Sequence, residues 1–187
     1  MATMGRWEPN AVERLQQAAG ALFQERGYAD VTVAEIADRA GLTKRTFFNH
    51  FADKREVLFA GAQGLQADTL QHLADTDDDL DPLDAAVAAL THGGLGLAHY
   101  GESALARREL IASSLDLQER DLVKRASLAS AIAEALRTRQ VPHRIAAFAA
   151  QAAVAVFAAA YDDWAEDPTT DFAALMQRSL ADLRQAV

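Results

Sequence analysis

Cysteine is absent from the 187-residue chain, which excludes disulfides and thiolate metal sites at once. Signals for strands are missing too: β-branched residues are scattered, and no alternating run or strand–helix alternation appears. The longest unbroken apolar run, Ala152 to Tyr161, is too short to cross a bilayer. The first ten residues carry Arg6, Glu8 and Pro9 and have no apolar core of a secretory signal. These absences predict a soluble, cytoplasmic protein with no membrane partner.

Catalytic signatures are equally scarce. None of the five histidines has a glutamate three residues before it, so paired Glu-x-x-His ligands for a di-metal bundle are missing. There is no Gly-x-Ser-x-Gly elbow, P-loop or dinucleotide fingerprint. Asp75 to Asp81 holds five aspartates in seven residues, but Leu80 stands where a calcium loop requires glycine and Ala86 where it requires the closing glutamate. That stretch reads as a solvated connector. No catalytic residue, metal or cofactor is expected.

What the chain does have is apolar content of 50%, together with many Ala, Leu, Glu, Arg and Gln residues, which favour helices. The length is enough for a sizeable core. An all-α fold of about nine helices follows, comprising an N-terminal three-helix helix-turn-helix domain and a C-terminal helical bundle. Net charge is −9, which at first sight opposes nucleic-acid binding. Residues 1–60, however, hold eight Lys/Arg and eight Asp/Glu, so the whole acidic excess lies beyond them. A duplex senses the field of one face rather than the total, so the balance leaves DNA binding open at the N-terminal end.

Val12, Leu15, Ala19, Leu22 and Phe23 recur at helical spacing, predicting a first helix from about Glu8 to Arg26 that Gly27 ends. Arg6 and Trp7, just ahead of it, read as an unordered terminus rather than a minor-groove arm. Thr32 and Glu35 form a capping box for a short second helix, which Gly41 stops. Thr43 caps a third helix through about His50, and Asp53 to Glu56 form a second capping box for a fourth helix running toward Leu73. Further helices are expected over 82–99, 102–113, 116–139, 143–164 and 170–186, with Gly93, Gly94 and Gly96 weakening or kinking the first of these.

The second and third helices, joined by Ala40-Gly41-Leu42-Thr43, make a helix-turn-helix. On the third helix Phe47 and Phe51 share one side and can pack inward against Leu22, Ile36 and Leu42. Lys44/Phe48 and Arg45/Asn49 lie on the other side. Two cations, an amide and an aromatic suit a major groove, because they can meet phosphate or guanine, adenine edges and thymine methyls.

The run Val31-Thr-Val-Ala-Glu-Ile-Ala-Asp-Arg-Ala-Gly-Leu-Thr-Lys-Arg-Thr-Phe-Phe-Asn-His-Phe-Ala-Asp-Lys-Arg-Glu-Val-Leu58 closely resembles the DNA-binding signature of TetR-type regulators, as does the preceding Ala18-Ala19…Leu22-Phe23…Gly27-Tyr28. The likeness covers about residues 10–60. It implies a DNA-binding domain over 1–53 and an effector-sensing and dimerisation domain over 54–187. It also implies that Thr32 contacts phosphate and that Thr43, Lys44, Arg45 and Thr46 read bases and adjacent phosphates. Phe48, Asn49 and His50 match further contact positions, and Lys54 matches a phosphate-binding lysine. Phe48 departs from the pattern, which commonly has tyrosine there, and His50 can instead be packed at the helix edge.

The helix over 143–164 is apolar nearly all round, so it must be covered on every side, by its own core and by a second subunit. Val156 is expected at that contact. The resemblance implies a homodimer built on the last two helices, binding a near-palindromic operator in double-stranded DNA. It implies repression relieved by a small effector, and the scarcity of charge on the apolar helix favours a hydrophobic one. His99, Tyr100 and Phe157 are the candidate pocket residues. The rival reading is a helix-turn-helix regulator with no small ligand, controlled by a protein partner.

Overall fold

A computed structural model of the chain describes residues 11–77, 79–96 and 101–186. Among these residues there is no strand, and nine α-helices follow in order: α1 (Ala11–Arg26), α2 (Val33–Arg39), α3 (Lys44–His50), α4 (Ala62–Asp75), α5 (Pro82–Gly94), α6 (Gly101–Ala112), α7 (Leu115–Thr138), α8 (His143–Glu166) and α9 (Phe172–Ala186). Arg6, Trp7, His99 and Tyr100 lie outside the described residues.

The chain divides into two compact units, Met1–Ala60 and Gly61–Val187. In the first, α1 packs against α2 and α3, and Leu15, Leu22, Phe23, Ile36 and Phe47 fill the space between them. The fourth helix does not run unbroken from the second capping box, as the sequence predicts. A 3-10 helix, Arg55–Phe59, comes first and α4 starts at Ala62. Three residues per turn bring Val57 and Phe59 closer to one side than an α-helix would, and both are buried, with the segment packed on α1.

In the second unit α8 is central and packs against α5, α6, α7 and α9. By length and composition alone α8 could cross a membrane, with a mean hydropathy of 1.6 over its most apolar window. Its Ala146, Ala150, Ala153, Val156, Ala160 and Trp164 instead line the core of this unit, opposite Leu90, Ile132, Leu136 and Met176. Val156 is only 2% exposed, so it belongs to the protomer's own core and not to an outer contact. The outward side carries Ile145 and Phe148, 51% and 69% exposed.

The glycines near the end of α5 do not open a gap. The helix stays regular through Gly94, and both Gly93 and Gly94 are buried. A methyl group on Gly93 would lie 2.5 Å from Thr69 Oγ1 on α4, and one on Gly94 would lie 2.4 Å from the Phe172 ring. The missing side chains allow close helix approach, so where a weakened or kinked helix was expected there is a tight seam at these two positions.

Candidate nucleic-acid interface

The reading surface is built by local rules of chain geometry. Thr32 Oγ1 accepts from the Glu35 backbone N–H at 3.3 Å, and the Glu35 carboxylate accepts from the Thr32 backbone N–H at 2.8 Å, closing the capping box that starts α2. The Thr32 hydroxyl also donates to Glu35 at 2.8 Å. Arg26 donates to the same carboxylate at 2.9 Å. Together these donors, Arg26 foremost, hold the Glu35 carboxyl near 2, far below the ordinary 4.5.

At the other end of α2, Gly41 has φ +66°. Its N–H reaches Asp38 O at 2.9 Å and the Leu42 N–H reaches Ala37 O at 2.8 Å, the paired bonds of a Schellman stop. The chain turns sharply and Thr43 caps α3, its hydroxyl accepting from the Thr46 N–H at 3.1 Å. The short turn therefore sets where α3 begins and which side of it faces inward.

The sides sort as their chemistry demands. Phe47 is fully buried and Phe51 nearly so, their rings 5.3 Å apart. Lys44, Arg45 and Asn49 are exposed, and Phe48 is 56% exposed, its edge against Phe47 at 5.6 Å. Thr43 is exposed as well; Thr46 and His50 are half-buried, with His50 6.4 Å from the Phe51 ring. No acidic residue occurs between Asp38 and Asp53, and among the described residues no carboxylate engages Lys44 or Arg45. Arg26 and Arg39 are different: each is paired across to the neighbouring helix, with Glu35 and Glu25, both at 2.9 Å. The unit's cations are thus divided between internal ties and a positive outer surface on α3.

Lys54 is placed in a way the sequence does not reveal. Its ammonium donates to Tyr28 O at 2.7 Å and Val31 O at 2.8 Å and lies 4.0 Å from the Tyr28 ring centre. It braces the loop that presents Thr32. Arg14 is the residue that sequence reasoning missed: its Nη2 donates to Ala40 O at 2.6 Å. The signal was a cation between Ala11 and Ala18, on the buried stripe of α1, where a charge must find a partner.

Phe157, the one candidate pocket residue among those described, sits in an aromatic cluster. Its ring meets Phe172 edge-on at 5.6 Å and stacks with Tyr161 at 6.4 Å, while Trp164 lies 6.0 Å from Phe172.

Residues 15–60 match the family model of bacterial regulatory proteins, tetR family, and residues 80–187 match that of the MftR C-terminal domain. The transcriptional activator FasR of Mycolicibacterium smegmatis is 40% identical over 76 residues, which is 38% of this chain and 35% of that protein. The chain thus matches about a third of the length of that curated relative. Two solved structures share the fold over nearly the whole chain. SmeT, the repressor of the Stenotrophomonas maltophilia efflux pump SmeDEF, gives a TM-score of 0.57 at 24% identity, covering 94% of this chain and 89% of that one. FadR of Bacillus subtilis, solved in complex with stearoyl-CoA, gives 0.56 at 18% identity, covering 91% and 96%.

Proposed function

Because this chain belongs to the TetR family of bacterial regulatory proteins, we propose that it is a homodimeric repressor that binds a near-palindromic operator and leaves it when a small hydrophobic effector binds. The activity we assign is binding rather than catalysis, and it is exercised in the cytoplasm, where a regulator meets its DNA. The observation that carries the reading is the two-sidedness of α3, with Phe47 and Phe51 enclosed and Lys44, Arg45, Phe48 and Asn49 presented outward. Lys44, Arg45 and Asn49 supply donors for phosphates and base edges, and the Phe48 ring supplies an apolar surface for a thymine methyl. Thr43 and Thr46 flank them at the start of the helix. Thr32 and His50 complete the phosphate-facing rim. Lys54 would have to share its ammonium between a phosphate and the two carbonyls it already holds.

Dimer formation is supported by the outward side of α8. An open, mainly apolar groove of about 270 Å³ runs between it and the start of α5, lined by Pro82, Leu83, Ile145, Phe148, Ala149 and Ala152, with Asp81 at its edge. Ile145 and Phe148 stand exposed along the groove, and a second copy of α8 and α9 would cover them. The effector class is supported by the fold neighbour crystallised with stearoyl-CoA and by the apolar second unit, with Phe157, His99 and Tyr100 the residues we assign to its binding. An effector releases DNA only through its preference for one of two states of the protein.

The test is selection of duplexes from a random library by the purified chain, followed by challenge with triclosan and stearoyl-CoA as hydrophobic probes. Enrichment of a two-fold-symmetric sequence and its release by such a compound are expected. Enrichment of no sequence would sink the DNA-binding assignment. An enriched duplex that no small hydrophobic molecule releases would favour control by a protein partner.

A further inference from the structure

We propose that Arg14 is a positioning residue for DNA recognition: it clamps the turn between α2 and α3 and so fixes the angle at which α3 is presented, without touching the duplex itself. The inference rests on the DNA-binding assignment above and adds to it a residue from outside the helix-turn-helix. Arg14 sits on α1, half-buried, with its side chain beside the α2–α3 turn. Its Nη2 donates to Ala40 O at 2.6 Å and lies 3.4 Å from Gly41 O. Ala40 is the C-cap of α2, where the last carbonyls of a helix have no intrahelical donor and the dipole favours a cation.

Gly41 is matched to this clamp. A methyl group built there would stand 2.9 Å from Arg14 Nη2, so the glycine serves both the positive φ and the approach of the guanidinium. The rest of α1 is tied to the body of α2 by Arg26 with Glu35 at its first turn and by Glu25 with Arg39 at its last residue, neither pair engaging the turn's own carbonyls. Those exposed pairs hold the two helices together, whereas the Arg14 bond reaches the hinge itself. The reading helix starts at Lys44, three residues after Gly41, so a change of angle at the hinge moves every outward side chain of α3 together. Contacts to base edges need donors and acceptors aligned, while nonspecific phosphate attraction tolerates a tilt. A loosened clamp should therefore cost specificity more than raw affinity.

The experiment compares wild type, Arg14→Met and Arg14→Lys on the duplex that wild type selects from a random library and on a scrambled duplex of equal length, with melting followed in parallel. For Arg14→Met, affinity for the selected duplex should fall about tenfold or more, as loss of a charge-assisted hydrogen bond allows. Affinity for the scrambled duplex should stay within about twofold, and the dependence of binding on salt should keep its slope, because no phosphate contact is removed. Arg14→Lys keeps a donor for Ala40 O and loses the fork, so an intermediate loss of about threefold, confined to the selected duplex, is expected. This variant decides the matter should Arg14→Met fail to fold. Equal losses on both duplexes with a shallower salt slope would show direct phosphate contact and overturn the proposal; so would unchanged affinity for the selected duplex in a folded Arg14→Met, or in Arg14→Lys where Arg14→Met does not fold. A wild-type protein that selects nothing sinks the DNA-binding reading itself, and this inference with it.

Discussion

Within α3, Lys44 and Arg45 are exposed one turn from the wholly enclosed ring of Phe47, so substitutions here should separate recognition from folding. Lys44→Ala and Arg45→Ala should each weaken binding to a selected duplex by about tenfold, within the range of a good base or phosphate contact, and leave the melting temperature unchanged. Gel shifts and thermal melts check both. Phe47→Ala should do the reverse, destabilising the N-terminal unit by about 3–5 kcal/mol through loss of a buried aromatic, visible in chemical denaturation.

Glu35 contributes to the pH dependence of that unit, beside Glu25 and Asp53, whose carboxyls Arg39 and Arg55 also hold below their ordinary values. The folded Glu35 carboxyl sits near 2 rather than 4.5, mainly because of Arg26 and Thr32. A carboxylate depressed in this way stabilises the fold above its unfolded value and loses that contribution as pH falls through the folded one. Acid melts of wild type should therefore soften between 4.5 and about 2, and Glu35→Gln should flatten that part of the curve. The capping box behind this was legible in the sequence as Thr32-Val33-Ala34-Glu35, because a cap is a matter of spacing along one strand of backbone. The roles of Lys54 and Arg14 were not, because each donates to carbonyls more than twenty residues away, and sequence spacing carries no trace of such a pairing.

Helices and turns show the same division between local and distant causes. The stops at Gly27 and Gly41 were readable, since each takes a positive φ that glycine accepts without strain. The end of α7 uses the same geometry with a less suitable residue. Gln140 has φ 64°, and the N–H of Val141 reaches back to Leu136 O at 3.2 Å, so the turn is a Schellman stop with a side chain at the left-handed position. Gln140→Gly should raise stability by about 1 kcal/mol, the usual strain of a left-handed L-residue, as a higher urea midpoint would show. Gly93 is the opposite case. Its sequence reads as a helix breaker, yet its buried seam against Thr69 and the Leu65 carbonyl decides its role. Gly93→Ala should cost about 1–3 kcal/mol by overpacking, although alanine is the better helix former.

For the molecule as a whole, the open question is what covers α8. Its all-round apolar composition predicted two coverings, and the structure gives the first, the protomer's own core, a residue expected at the second. Val156, read from the sequence as a contact between subunits, turns inward, because it shares the core side of the helix with Ala146, Ala149, Ala153 and Ala160. Composition alone could not tell those sides apart, since both are rich in alanine. Phe148 is the residue that tests the second covering, being 69% exposed in the protomer and lining the apolar groove. A carboxylate there meets water in a single chain but would be desolvated without a partner inside a dimer. Phe148→Glu should leave the protomer helical and melting normally, and sediment as a monomer. The two reading helices would then no longer be tethered to one another, so affinity for a full two-fold site should drop about 100-fold or more while affinity for half a site stays level. A Phe148→Glu protein that remains dimeric, or one that loses full-site and half-site binding alike, would place the subunit contact elsewhere on the molecule.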